Sequence, residues 1–343
     1  MDQESLMHRA CFLKEVPRHP VWFMGQAGRH LKNYSSIRNG RSIIELQTDY
    51  LSSARISTEA VLETGSDAAV IYADITIPII RSGFPLHIDE QIGPISDRVV
   101  SSHEDISELK HFDPAKDTDF IIKEIKAIKE AMPDVPVIGF AGGPFTTLSY
   151  LLEGKPSRSF DKSIAIMDSS KRDFKSMMEI VADLTIKYLK AQISAGAEVI
   201  QLFDSWSGLL GHTMYHEHIK KHVQNIFSSI PSSIPKIYFS VNSRECISEF
   251  TDIGCNALSI DSSLSTKEAE SLTSHKFCIQ GNLAPKLLFD GGSAMERASL
   301  EILRDMESSN AFIFNLAGRV LPDTKPSNML EVSTLVKRTK RHF

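Results

Sequence analysis

Short continuous runs of Val, Ile, Leu and Phe recur along the whole chain, separated by stretches of helical periodicity. The runs lie at 21–24, 68–71, 137–140, 199–203, 237–239, 257–260, 277–280 and 312–314. They do not alternate polar with apolar, which is the pattern of strands covered on both faces. Helical pattern fills 42–64, with a break expected in its middle, and then 117–131, 169–194, 214–229, 266–272, 294–307 and 328–340. The longest of these carries Phe174, Met177, Met178, Val181, Leu184 and Leu189 near helical spacing, a stripe that packs on a sheet. Strand followed by helix, eight times over, admits few solutions. The α/β pattern predicts a (β/α)8 TIM barrel, with a doubly wound open sheet as the second solution. No linker rich in Gly, Pro or Ser divides the chain, so residues 1–343 read as a single barrel domain with 1–19 as an N-terminal extension. The stretch 75–110 is long for a strand-to-helix connection and is expected to shape the rim of an active site.

The 38 Lys+Arg against 43 Asp+Glu leave a net charge of −5, without the basic excess of a nucleic-acid surface. Any anionic ligand must then be held by a local cluster of arginines. Hydrophobic residues make up 42% of the 343 residues, enough for a large core and too many for disorder. No apolar run approaches the roughly 18 residues of a membrane span, and residues 1–16 lack the apolar segment of a signal peptide. Cys11, Cys246, Cys255 and Cys278 are too far apart for a CxxC unit and read as reduced core thiols. These features predict a soluble cytoplasmic protein with neither nucleic acid nor membrane as partner.

In a barrel, chemistry sits where the C-terminal ends of the strands meet the loops that follow. That rule selects Met24-Gly25-Gln26-Ala27-Gly28-Arg29, with Arg38 and Arg41 beyond, and Ala73-Asp74-Ile75 after the second run. It also selects Gly139 to Phe145, leading to Tyr150, and Phe203-Asp204-Ser205-Trp206-Ser207-Gly208. Gln280-Gly281-Asn282-Leu283 and Asn315-Leu316-Ala317-Gly318-Arg319 follow the last two runs. Each group has a plainer reading: small residues serve tight turns, strand-end aspartates cap helices, and arginines are solvated. Gly142-Gly143 lacks the spacing of a phosphate cradle, and there is no GxSxG elbow or HExxH. His212 and His216 have the i, i+4 spacing of a zinc pair, but no acid or thiol is clearly placed to complete it. A helix entry at Thr213-Met214 is the plainer account. Spacing alone gives a barrel enzyme with an anion site near Arg29.

The segment Pro20-Val21-Trp22-Phe23-Met24-Gly25-Gln26-Ala27-Gly28-Arg29 resembles the uroporphyrinogen decarboxylase signature P-x-W-x-M-R-Q-A-G-R. Gly139-Phe140-Ala141-Gly142-Gly143-Pro144-Phe145-Thr146, through Tyr150, Glu153 and Gly154, resembles the family's second signature. Ala73-Asp74-Ile75, Phe203-Asp204-Ser205, Gln280-Gly281-Asn282-Leu283 and Asn315-Leu316 through Leu321-Pro322 resemble further motifs in the same order. The resemblance implies a (β/α)8 barrel that forms a homodimer and needs no metal or organic cofactor. It implies conversion of uroporphyrinogen III to coproporphyrinogen III by decarboxylation of four acetate arms. It makes Asp74 the catalytic carboxylate, facing the pyrrole N–H groups. It assigns this tetrapyrrole substrate to Gly25, Gln26, Ala27, Gly28, Arg29, Tyr150 and Ser205, and Arg38 and Arg319 join them as candidates from the neighbouring loops rather than as matches to the family. A corrinoid-dependent methyltransferase of the same superfamily is a poorer reading. It would need His-x-Cys after the fifth strand, where the chain has Ser240-Val241-Asn242.

Two departures from the family matter, and a third is smaller. Gly25 stands where the signature has arginine, Gly318 where N-L-G-H-G has histidine, and Ala284 where aspartate commonly follows Gly-Asn-Leu. The first two remove cationic or hydrogen-bonding groups, so the resemblance also admits reduced activity or a non-catalytic tetrapyrrole-binding paralogue. Because the other defined positions of the first signature match, its loop is expected to keep the shape that presents a side chain at position 25. Arg319 and Arg38 are the candidates to reach into the gap, and the plainer reading of Arg319 is a surface arginine on the last loop, beyond catalytic reach.

Overall fold

The computed structural model describes residues 4–309 and 311–339. Its strands are β1 (Ala69–Val70), β2 (Leu86–Asp89), β3 (Gly93–Ser96), β4 (Val137–Gly142), β5 (Val199–Phe203), β6 (Lys236–Phe239), β7 (Ala257–Ser259), β8 (Cys278–Leu283) and β9 (Phe312–Leu316). Seven form one parallel sheet in the order β1-β4-β5-β6-β7-β8-β9, and β2 and β3 form a separate antiparallel hairpin. Every residue of β4, β6, β7 and β9 is buried, as their unbroken apolar runs require. Helices follow the sheet strands in turn, and the fold is an α/β, TIM-barrel-like single domain.

The sheet is not closed by an eighth strand, which corrects the expectation of eight. The run 21–24 contributes only one bridge, Val21 to Phe314. Side chains have taken the donors that a ladder needs. The Val21 N–H donates to the Asp67 carboxylate at 2.9 Å, the Phe23 N–H to Gln26 Oε1 at 3.0 Å and the Met24 N–H to Asn315 Oδ1 at 2.9 Å. The Trp22 N–H alone of these four reaches a strand carbonyl, that of Phe314 at 3.3 Å. The run is therefore an extended seam between β9 and the approach to β1, where the Asp67 N–H donates to the Val21 carbonyl at 2.7 Å. Inside the sheet, Trp22 Nε1–H donates to Gln280 Oε1 at 2.9 Å. Gln280 Nε2 in turn donates to Gln201 Oε1 at 3.1 Å and to Ser259 Oγ at 2.9 Å.

The break expected within 42–64 falls at Asp49, between helices Ile43–Thr48 and Tyr50–Thr64, and the Asp49 side chain caps the second of them. Helices Asp119–Ala131, Lys171–Ala195, Thr266–Leu272, Gly292–Asp305 and Pro326–Arg338 match the remaining patterns closely. Residue 340, the last of the predicted 328–340, lies outside the described residues, as do residues 1–3 of the extension. The helix Pro144–Glu153 was not visible as a helix in the sequence. All of its residues from Pro144 to Leu152 are buried, its polar Thr146, Thr147 and Ser149 included, so it presents no solvent-facing side. The N-terminal extension is built into the fold. Met7, Ala10 and Cys11 of helix Leu6–Cys11 are buried, and Arg18 forms a two-pronged pair with Asp67 at 2.7 and 2.8 Å. All four cysteines are buried and free.

Candidate active site

The loops after the first and last runs are stitched together. The Val320 N–H donates to the Met24 carbonyl at 2.8 Å. Gly25 turns the chain there with φ +85°, a left-handed conformation that strains any side chain by about 1–3 kcal/mol. A Cβ at Gly25 would lie 3.5 Å from the Val320 nitrogen and 3.7 Å from the Arg319 Cβ. This overturns the expectation that the loop keeps a shape suited to a side chain at position 25. Arg319 instead leaves the neighbouring backbone from beside that place. It is exposed, and no carboxylate pairs with it among the described residues. Gly318 differs from Gly25: its φ is not left-handed, and a Cβ there would meet only Pro285 Cγ, at 3.7 Å.

Asp74 follows β1. Its Oδ1 accepts the Thr76 N–H at 2.9 Å and the Thr76 hydroxyl at 2.6 Å, which fixes the turn into helix Ile77–Arg81. Its Oδ2 has no hydrogen-bond partner among the described residues, and the side chain is half-buried. Capping accounts for one oxygen and leaves the other.

Asp204, at the end of β5, anchors the next part of the site. It is fully buried; Oδ1 accepts the Thr146 N–H at 2.9 Å and Oδ2 the Tyr238 hydroxyl at 3.1 Å. Burial pushes its carboxyl up to about 6, against these hydrogen bonds. A Cβ at Gly143 would fall 2.1 Å from the Asp204 Cβ, so only glycine lets the aspartate reach the helix start. One turn along that helix, Thr146 and Tyr150 hold Trp206 between them. The Trp206 N–H donates to Thr146 Oγ1 at 2.9 Å and its indole N–H to the Tyr150 hydroxyl at 3.1 Å. Burial raises the Tyr150 phenol above its ordinary value; the Trp206 hydrogen bond lowers it, the Asp74 charge adds to the rise and Arg319 opposes it. Asp74, Tyr150 and Arg319 thus share one electrostatic environment. Ser205 is half-buried beside them. Phe203 at the end of β5 packs edge-on against Phe140 (ring centroids 5.3 Å apart) and Phe239 (6.1 Å), giving the strand ends an apolar floor.

A second cluster stands at the rim. Arg38 binds the Glu90 carboxylate through both terminal nitrogens, and Arg29 Nη2 lies 3.8 Å from the same carboxylate. Tyr72, with its hydroxyl 2.6 Å from that of Tyr34, feels both arginines. The other residues of the first signature face inward. Gln26 is fully buried; its amide donates to the Ala68 carbonyl at 2.8 Å, and its oxygen accepts the Ser66 hydroxyl at 2.7 Å. Ala27 packs against the small apolar cluster that includes Leu31, Tyr34 and Tyr72, and the Gly28 carbonyl accepts the Leu31 N–H. The structure therefore gathers Asp74, Tyr150, Ser205 and Arg319 at the strand ends, with Arg29 and Arg38 at the rim, and puts the Gln26 side chain in the wall.

The sequence did not single out Glu90, Thr76 or the anchoring role of Asp204. Thr76 is visible afterwards as an Asp-x-Thr turn, but Glu90 lies inside the long 75–110 connection with no motif around it. The acid missing from the histidine pair is Glu249. It binds His212 at 2.6 Å, His216 at 2.8 Å and the Lys220 ammonium at 2.8 Å. Burial raises the Glu249 carboxyl, but hydrogen bonds from Lys220 and His216 outweigh it and hold it below its ordinary value. Lys220 thus shares the Glu249 carboxylate with the two imidazoles.

Comparison with known proteins agrees with this geometry. The family model described as uroporphyrinogen decarboxylase (URO-D) matches residues 2–339. A Bacillus subtilis protein named uroporphyrinogen decarboxylase is 35% identical over 318 residues, covering 92% of this chain and 90% of its own. A Thermus thermophilus protein of the same name is 33% identical over 334 residues, covering 97% of each chain. Among solved structures, a methyltransferase from Methanosarcina mazei superposes with a TM-score of 0.82 over 98% of this chain and 99% of its own. At 17% identity it speaks to the fold alone. With motifs, strand-end geometry and a match across nearly its whole length in agreement, the chain belongs to the uroporphyrinogen decarboxylase family.

Proposed function

We propose that this protein decarboxylates the four acetate arms of uroporphyrinogen III to give coproporphyrinogen III, as a homodimer in the cytoplasm. The observation that carries the reading is Asp74: a strand-end carboxylate with one oxygen fixed by Thr76 and the other unengaged, in the same field as Tyr150 and Arg319. Each decarboxylation needs a place for the electrons of the broken C–C bond. Protonation of the ring carbon next to the one bearing the arm makes the pyrrole cationic. The C–C bond then breaks, carbon dioxide leaves and the pair forms an exocyclic methylene. A proton added to that methylene makes the methyl group, and loss of the first proton restores the pyrrole. Each arm thus exchanges carbon dioxide for one proton. The free Asp74 oxygen accepts pyrrole N–H groups and stabilises the cation, a contribution of several kcal/mol where water is excluded. The aromatic floor of Phe140, Phe203 and Phe239 supports one face of the macrocycle. Arg29, Arg38 and Arg319 hold carboxylate arms, with Tyr150 and Ser205 offering hydroxyls.

Non-catalytic tetrapyrrole binding is the second reading, favoured by the left-handed backbone at Gly25, which strains any side chain placed there. Anaerobic incubation with uroporphyrinogen III, followed by separation of products by carboxyl count, decides between them. Seven-, six-, five- and four-carboxyl products support the first reading. Retained octacarboxylate with tight binding supports the second. Light scattering that gave a monomer mass would remove the homodimer.

A further inference from the structure

Glu90 sits at the tip of the β2–β3 hairpin, within the long 75–110 connection. The tip is shaped by its own sequence: Asp89 Oδ1 accepts the N–H groups of Gln91 and Ile92, both at 2.8 Å. The hairpin base is tied down, with the Ser96 N–H donating to the Gly154 carbonyl at 2.8 Å and the Asp97 N–H to the Pro85 carbonyl at 2.9 Å. Its tip is tied to the protein through one carboxylate, which takes Arg38 and Arg29 together. Arg38 is itself oriented, its Nε donating to the Arg41 carbonyl at 2.6 Å. These two arginines are the cations that the proposed function assigns to substrate arms. A carboxylate on a short alkyl stem, set beside two guanidinium groups, presents the same charged group as a carboxylate arm of the substrate.

We infer that Glu90 is an internal stand-in for a ligand carboxylate, and that a ligand enters this site only by supplying a carboxylate that displaces Glu90 from Arg29 and Arg38. The inference rests on the reading of the site as one for a polycarboxylate. It makes Glu90 a specificity-determining residue that never touches the reacting atoms. A ligand without an arm at that place faces a filled pair and an acidic hairpin tip. A ligand with one exchanges one carboxylate for another, at little cost and with no buried charge left unpaired. Where the displacing group is an acetate carboxyl, its loss as carbon dioxide leaves a methyl group, Glu90 returns and the product loses that hold.

A double-mutant cycle tests this, with uroporphyrin III, the stable fluorescent octacarboxylate, as the binding probe. Glu90→Gln removes the competing charge and keeps the shape. Its affinity for uroporphyrin should rise about fivefold over wild type. In the Arg38→Gln background the same change should gain less than twofold, because the contested cation is gone. An equal gain in both backgrounds would mean that Glu90 acts only as one more negative charge, and overturns the inference. So does no gain in the wild-type background, or no binding by the Glu90→Gln protein. Turnover of uroporphyrinogen by the wild-type protein is measured separately. A catalytically silent protein that still showed the coupling would lose the proposed reaction and keep the Glu90 gate.

Discussion

Arg319→Ala is the substitution whose effect follows most directly from the geometry. The Arg319 Cβ lies 3.7 Å from where a Cβ at Gly25 would be, so its guanidinium starts from beside the place where the family signature has arginine. It has no internal carboxylate to neutralise it among the described residues, and its charge reaches Tyr150. A hydrogen bond to a charged partner contributes about 1.5–3 kcal/mol, and Arg319 is exposed, so screening moves the expectation to the lower end. That corresponds to a fall of about tenfold in kcat/KM. The assay is anaerobic turnover of uroporphyrinogen III with products resolved by carboxyl number, and urea unfolding checks that stability is unchanged. Arg319→Lys keeps the charge and loses the two-pronged geometry, so it should fall between wild type and alanine. A kcat/KM within twofold of wild type in Arg319→Ala would show that this arginine is a solvated loop residue and that the reasoning from its position is mistaken.

Asp74→Asn keeps the size and removes the charge opposite the cationic pyrrole. Its kcat should drop about a hundredfold with little change in unfolding midpoint, and full turnover would end the electrostatic role. Arg29→Ala should raise KM severalfold while leaving kcat near wild type, since a clamp on an arm acts in ground and transition state alike; steady-state kinetics reads both. The two family departures should behave oppositely when reversed. Gly318→His meets open space and should leave the unfolding midpoint unchanged, whereas Gly25→Arg should lose about 1–3 kcal/mol to its left-handed backbone, as denaturant titration of each will show. Glu124 is fully buried, accepting the Tyr72 N–H at 2.6 Å and the Ser57 hydroxyl at 3.2 Å, and burial pushes its carboxyl up to about 8. The folded state keeps this proton where the unfolded chain has lost it, so stability should fall as pH rises from about 4.5 to 8, by on the order of 5 kcal/mol. Urea midpoints at several pH values should show that slope in wild type and lose it in Glu124→Gln; parallel slopes would contradict it.

The strands were legible because burial on both faces leaves no choice of residue, and 199–203 could be bounded to the residue. The same signal misled at 21–24. That run is as apolar as the others, but whether it pairs as a strand depends on which acceptors stand opposite its N–H groups. Asp67 and Asn315, far away in the chain, supply two of them through side chains. Asp74, Arg29, Tyr150 and Arg319 could be named as candidates from strand-end position and motif. Glu90 could not, since its partners are 52 and 61 residues away and come together only through the hairpin. Position 25 shows a further limit: matching neighbours in a motif do not reveal that the backbone there is left-handed.

The hydrogen bond from Trp22 to Gln280 spans 258 residues of chain. At roughly 5–20 residues per second, an emerging N-terminus waits about 13–50 s for that acceptor to be synthesised. Meanwhile Asp67 and Gln26 can already hold the backbone of 21–24, since both lie in the same early stretch. Gln280 and Asn315 then act as a late clasp, taking the indole and the Met24 N–H once β8 and β9 arrive. Contacts of such long range slow the final step of folding. The chain's only other tryptophan, Trp206, lies with Tyr150 in the candidate site. Replacing it with phenylalanine would leave Trp22 as a sole emitter, its fluorescence reporting when the two ends of the sheet meet.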